Sequence, residues 1–276
     1  MPEKVALQSE TVQETMLIPL WGRATYSRQY PDLLADPRAQ EIIARLDYDF
    51  SPFARALGEY GGIGYLVRAR RFDESITAYI ADRPQATIVN LGAGLDTTFS
   101  RVDNGHIRWY DVDLPDAIAF RKSLIPETER STCLARSAFD QSWFNEVAFD
   151  PDKGIFIIAG GLFMYFEEIE VRELFVALAE RFPGGEIHFD AMPKLGIALV
   201  NRRLKGTAVP TMRFALGVRC PQRTLAAWSS KLRVVDTCGF YDGVLRDPRW
   251  DKATNLMMNM NDWLKTGGFV RVRFLS

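Results

Sequence analysis

The sequence predicts an α/β fold: a single domain in which a helical N-terminal region precedes a doubly wound, mostly parallel β-sheet. Three observations lead there. Residues 1–85 carry apolar positions at helical spacing. From residue 86 short apolar runs alternate with helical stretches, the pattern of strand and crossover. Residues 88–101, IVNLGAGLDTTFSR, drop from an apolar run into a glycine pair and then into a helix start, which is how a nucleotide-binding crossover begins.

Within the N-terminal region, ADPRAQEIIARL places Asp36 where it caps a helix and Pro37 in the first turn, with Ala39, Ile42, Ile43 and Leu46 on one face. RRFDESITAYI puts Phe72, Ile76, Tyr79 and Ile80 on a second stripe that stops before Pro84. Seven strands are then expected at 86–92, 107–113, 132–136, 154–160, 186–192, 232–237 and 270–275. Most are apolar without strict alternation, as for strands covered on both faces. Between the fourth and fifth, EEIEVRELFVALAERF gives a helix with Val171, Leu174, Phe175, Leu178 and Phe182 inward, ended by Pro183-Gly184-Gly185. Residues 193–231 interrupt the alternation with basic (Arg202, Arg203, Lys205) and apolar (Met212, Phe214, Leu216) positions. An insertion of that length is either a functional cap or a peripheral helical pair.

Composition narrows the function classes. A formal net charge of −1 provides no basic field for nucleic acid or anionic lipid. Cys133, Cys220 and Cys238 are scattered and odd in number, and with only His106 and His188 they suggest neither a disulfide framework nor a metal centre. No apolar run approaches ~18 residues and no basic-then-apolar signal pattern opens the chain, so a cytoplasmic setting is expected.

The glycine loop itself departs from the dinucleotide pattern. Gly92 and Gly94 are present, but Thr97 stands where GxGxxG has its third glycine. Asp96 lies in the first turn, where a carboxylate repels a pyrophosphate and suits a cation. About twenty residues on, Asp113 ends the next strand, the place from which a carboxylate accepts hydrogen bonds from a ribose diol. An acidic loop and a ribose-binding acid together point to S-adenosylmethionine, which carries an ammonium, a sulfonium and an adenosine but no phosphate. Simpler readings stand beside these: Asp96 and Asp113 as helix caps, Arg68 and Arg70 as surface cations, and His188 as a hydrogen-bonded core residue rather than a base.

NLGAGLDTTFSR, WYDVDLPDAIAFRK and GGLFMYF resemble successive blocks of the leucine carboxyl methyltransferase family, a branch of the class I S-adenosylmethionine-dependent O-methyltransferases. LIPLWGRA, RARRFDES, SAFDQSW and VRVRF resemble its small-molecule branch, associated with polyketide biosynthesis. The resemblance implies a Rossmann-like seven-stranded sheet with its last strand antiparallel. It further implies a helical lid over residues 1–85, a cofactor-binding core over 86–276 and a cap insertion at about 193–231, after the fifth strand. Gly92, Ala93 and Gly94 would admit the methionine part of the cofactor, and Asp113, with Leu114 beside it, would hold the ribose. Ala138, Phe139 and Asp140 would frame the adenine. Arg68, or else Arg70, would pair with the cofactor carboxylate. Gly160, Gly161 and Tyr165 would lie beside the sulfonium, with Arg23 in the lid above. Two positions depart from the family's pattern: Gly160 stands where many members have glutamate, and Thr98 where many have arginine.

The resemblance implies methyl transfer to a small-molecule acceptor, without a metal. Because no strong general base stands out, with Tyr165 and Arg23 the only catalytic candidates, the acceptor is expected to be a carboxylate or an acidic hydroxyl. Competing readings are a protein C-terminal carboxyl methyltransferase, an NAD(P)-binding oxidoreductase and a catalytically idle cofactor-binding subunit. Monomer and homodimer are both left open.

Overall fold

The computed structural model describes residues 5–6, 12–204 and 214–276, with side chains for 15–202 and 214–276; Lys205 and Met212 of the expected cap fall outside them. A two-residue parallel ladder joins β1 (Val5–Ala6) to β2 (Leu46–Asp47). The N-terminal region is helical: α1 (Val12–Gln29), α2 (Pro37–Ala44) and the long α3 (Ser51–Asp82). As expected, Asp36 caps α2, accepting a hydrogen bond from the Ala39 amide at 3.0 Å, with Pro37 in the first turn. α3 kinks at Gly58, whose φ of 58° only glycine adopts readily. α1 and α3 cross closely because glycines lie under aromatic rings: a Cβ at Gly62 would fall 2.0 Å from the Tyr26 ring, and one at Gly22 would fall 2.7 Å from that of Tyr65.

The remaining chain forms a seven-stranded sheet from β3 (Thr87–Leu91), β4 (Arg108–Asp113), β5 (Ser131–Ala135), β6 (Ile155–Ala159), β7 (Glu186–Ala191), β8 (Leu232–Gly239) and β9 (Gly268–Phe274). Its order is β5-β4-β3-β6-β7-β9-β8. β9 runs antiparallel to both neighbours, and the pairs from β5 across to β7 are parallel. Thus the expected seven strands, with the last antiparallel, are all present. β3 and β6 are buried along their whole length, which explains why their sequences are apolar runs rather than alternations.

Helices α4 (Thr98–Val102), α5 (Pro115–Leu124) and α6 (Glu168–Arg181) connect these strands, and α9 (Lys252–Leu264) joins β8 to β9. Within the 193–231 insertion lie α7 (Lys194–Leu204) and α8 (Pro221–Trp228). From β3 the chain turns first toward β4 and later returns to place β6 on the opposite side. This reversal opens a crevice at the carboxyl ends of β3 and β6, where ligands of doubly wound sheets bind. No helix among the described residues is long and apolar enough to cross a membrane.

Candidate active site

The loop that leaves β3 is fixed from both sides. Gly92 (φ 67°) and Gly94 (φ 45°) adopt left-handed conformations that disfavour side chains. The Gly92 and Ala93 amides donate to the Val112 carbonyl at the end of β4, at 2.9 and 3.3 Å. Two buried arginines hold the next three carbonyls. Arg121 Nη1 donates to Gly94 O (2.9 Å) and Asp96 O (2.7 Å), while Arg23 Nη2 donates to Leu95 O (2.8 Å). A Cβ at Gly92 would lie 2.9 Å from Leu162, on the loop after β6, so the glycine lets the two loops approach across the crevice.

Beneath the loop lies a charged network. Asp111, 1% exposed, accepts from Arg121 Nη2 (2.7 Å), Trp109 Nε1 (2.9 Å) and Asn90 Nδ2 (3.0 Å). Asp96 accepts from Asn90 Nδ2 and from both the amide and hydroxyl of Thr98, so its charge is taken up at the N-terminus of α4. Burial alone would raise its pKa, but the guanidiniums of Arg23, Arg101 and Arg121 outweigh burial and hold it below the usual carboxylate value.

Asp113 stands at the end of β4 with Oδ2 accepting from the Gly94 amide (2.7 Å) and Oδ1 from the Leu114 amide (2.8 Å). Burial raises its pKa, opposed by those two amides. Each oxygen keeps lone-pair capacity for another donor. Leu114 is exposed beside it. After β5, Ala138 is buried, Phe139 packs on Phe166 with centroids 4.3 Å apart, and the exposed Asp140 caps a 3₁₀ turn by accepting from the Ser142 amide.

Across the crevice, Gly160 and Gly161 follow β6. A Cβ at Gly160 would fall 2.9 Å from the Phe72 ring, so the glutamate common in the resembling family would displace that ring. Gly161 (φ 70°) donates its amide to Asp190 Oδ1 at 2.6 Å, and Asp190 Oδ2 pairs with Arg68 Nη2 at 2.8 Å. Arg68 thus reaches the crevice, whereas Arg70 pairs with Glu74 on the exposed side of α3. Tyr165 stacks on Phe214 of the insertion, and the Ala215 amide donates to Met164 O. Burial pushes the Tyr165 phenol pKa well up.

Arg23 is 5% exposed and joins the helical region to the loop: besides Leu95 O, it donates from Nε to Asp36 Oδ2 at 3.1 Å. Arg101 occupies the other side of Asp36 (2.8 Å) and also binds Thr97 Oγ1, Thr98 Oγ1 and Asp73. The sequence reading passed over Arg121, Asp190 and Arg101. Their only local signal was charge inside otherwise apolar segments, since each finds its partners through the fold.

His188, in β7, packs against Phe72, Phe156 and Phe269 at centroid distances of 5.1, 6.5 and 5.7 Å. Burial first, then Arg271 and Arg71, lower its pKa from 6.5 to about 3. The unfolded chain binds this proton below about pH 6.5 and the folded one does not. The resulting stability is therefore complete above 6.5 and declines toward pH 3, by about 1.4 kcal/mol per unit. His188→Phe should flatten the fall in urea stability between pH 6.5 and 5; an unaltered slope would assign that fall to other groups.

Comparison with known proteins identifies the family and supports the fold. The leucine carboxyl methyltransferase family profile matches residues 17–179. Over 182 residues the chain is 32% identical to the tetracenomycin polyketide synthesis O-methyltransferase TcmP of Streptomyces glaucescens, covering 66% of each protein. It is 27% identical over 205 residues to the S-adenosyl-L-methionine-dependent methyltransferase dpfgK of Gibberella zeae, covering 68% of this chain and 69% of that one. The matches thus span about two thirds of these relatives' lengths. Among solved structures, a duf574 family protein from Streptomyces avermitilis shares the fold with a TM-score of 0.60 at 13% identity, covering 84% of this chain and 94% of that one. The chain belongs to the leucine carboxyl methyltransferase family.

Proposed function

We propose that the protein is an S-adenosylmethionine-dependent O-methyltransferase acting on a carboxylate or acidic hydroxyl of a small, polyketide-like metabolite. One observation carries the choice of cofactor. The N-terminus of α4, where a dinucleotide would seat its pyrophosphate, is occupied by the Asp96 carboxylate bound to the Thr98 amide. A phosphate-free adenosine cofactor suits this loop. The crevice also offers a buried Arg68 Nε with no partner among the described residues, and a half-buried Asp113 carboxylate. Both fit the cofactor, the first its carboxylate and the second its ribose diol. The polyketide class is supported by the name of the Streptomyces relative.

When bound, S-adenosylmethionine supplies an electrophilic methyl group on a sulfonium. The chain's own residues bind, orient and exclude water. Gly92 and Gly94 would let a ligand lie against the backbone, Asp113 would accept ribose hydroxyls, and Ala138, Phe139 and Asp140 would border the adenine. Leu162 and the stacked Tyr165 and Phe214 would cover the acceptor side, where excluding water would favour reaction of a charged acceptor with a cationic donor. With the Tyr165 phenol pushed up and His188 held neutral in the core, neither removes a proton from the acceptor. An acceptor that arrives already ionised needs no base.

Calorimetry tests the reading: S-adenosylhomocysteine should bind in the micromolar range and NADH should not. Asp113→Ala should weaken S-adenosylhomocysteine by about 1–3 kcal/mol while the protein stays folded. Binding of NADH with no response to S-adenosylhomocysteine would overturn the proposal.

A further inference from the structure

The Arg68–Asp190 pair is unusual for a pair buried this deeply. Asp190's side chain is 4% exposed and spends both oxygens on donors, one on Arg68 Nη2 at 2.8 Å and one on the Gly161 amide at 2.6 Å. Arg68's side chain is 21% exposed and only partly satisfied: its Nε is buried with no partner among the described residues, and its guanidinium lies over the Tyr65 ring at 5.4 Å. Nη1 lies 2.9 Å from where a Cβ at residue 161 would be, so the guanidinium sits as it does because that residue is glycine. A buried ion pair by itself adds little stability, and a guanidinium with idle donors adds less. What this fork lacks is a second anion, for which its planar geometry is matched to a carboxylate.

We infer that Asp190 is a positioning residue for an α-amino-acid clamp. It fixes the Arg68 fork and the Gly161 amide so that Arg68 receives the carboxylate at the methionyl end of the donor. This rests on the cofactor reading above. Charge balance gives the clamp its selectivity. The pair is neutral, so a bare carboxylate brought against it leaves a net negative charge in a half-buried site, whereas an α-amino acid carries its own ammonium on the neighbouring carbon. Of the other acids at this edge, Asp96 is engaged by Asn90 and Thr98, and Asp113, held by two loop amides, stands at the opposite side of the crevice, where it is matched to the ribose.

Asparagine at 190 tests this sharply. The carboxylate accepts from two donors, but asparagine has one acceptor oxygen and one NH2, so either Arg68 or the Gly161 amide must then face a donor. The measurement compares S-adenosylhomocysteine with 5′-methylthioadenosine, which has the nucleoside and thioether but no amino-acid end. In Asp190→Asn the dissociation constant for S-adenosylhomocysteine should rise roughly tenfold or more, the scale of one charge-assisted hydrogen bond, while that for 5′-methylthioadenosine changes less than about twofold. Asp190→Glu should recover part of the loss. If Asp190→Asn does not fold, the double variant Arg68→Gln/Asp190→Asn, which removes both charges, is expected to lose the same preference. Equal loss for both ligands, no loss for either, or a double variant that keeps the preference overturns the clamp. A wild-type protein that binds neither ligand defeats the cofactor reading itself. Equal wild-type affinity for the two leaves that reading standing and overturns the clamp.

Discussion

Arg121→Met is expected to cost about 3–5 kcal/mol of stability, the scale for breaking a buried ion pair by removing one partner. Arg121 is 3% exposed and its guanidinium does two things at once. Nη2 neutralises Asp111, and Nη1 holds the carbonyls of Gly94 and Asp96. Methionine fills similar volume but leaves Asp111, already raised in pKa by burial, with Trp109 and Asn90 as its remaining donors. It also frees two carbonyls of the glycine loop, so S-adenosylhomocysteine affinity should fall together with stability. Urea denaturation at pH 7 measures the first and calorimetry the second. A loss below about 1 kcal/mol would show that Asp111 is solvated or protonated without Arg121. The double variant Asp111→Asn/Arg121→Met should recover part of the stability, since the uncompensated charge is then gone, but not the grip on the loop.

Asp36→Ala should have a comparable effect through different chemistry. Asp36 is fully buried and accepts from Arg23 Nε (3.1 Å), Arg101 Nη1 (2.8 Å), Thr97 Oγ1 (2.7 Å) and the Ala39 amide (3.0 Å). Alanine removes the cap of α2, worth about 1 kcal/mol. It also takes away the carboxylate bound to the buried Arg23, for which about 3–5 kcal/mol is expected, while Arg101 keeps Asp73. Because both effects pass through one carboxylate, they should not simply add. Asp36→Asn keeps the cap oxygen and should lose distinctly less. Hydrogen exchange should show faster opening of α1 and α2 than of β3 and β6; uniform acceleration across both regions would mean that Asp36 stabilises the whole domain rather than the junction.

These two residues also show what was legible in the sequence. The cap role of Asp36 was readable because a cap is a local event between residues three apart. Its partners Arg23 and Arg101 were not, because the fold brings them from sequence positions 13 and 65 residues away. The seven strands are legible to within a few residues, β3 and β6 most plainly because they are mostly apolar runs that end at glycine. The first half of α3 lies in the region read as helical, but its own boundaries are not legible. Gly58, Gly61, Gly62 and Gly64 make it a poor helix by propensity, and at Gly62 close packing against Tyr26 is what rewards glycine. α1, with Pro19 inside it, gave no clear boundary for a similar reason. At the site, the glycine loop and Asp113 were visible as a motif. Asp190 was not, since its meaning depends on Arg68 and Gly161 arriving from α3 and β6.

The place of β9 matters for how the chain is made. Of the sheet's seven strands it is the last to leave the ribosome, yet it is hydrogen-bonded on both sides, between β7 and β8. Until it emerges, β8 has no neighbour and β7 presents an open edge. The half of the sheet from β5 to β7 can assemble during synthesis, but the other side must wait for residues 268–274 to be threaded in antiparallel. A stalled or truncated chain lacking them would expose the unpaired backbone edge of β7, a template for aggregation, and degradation or chaperone capture is the expected fate of such chains.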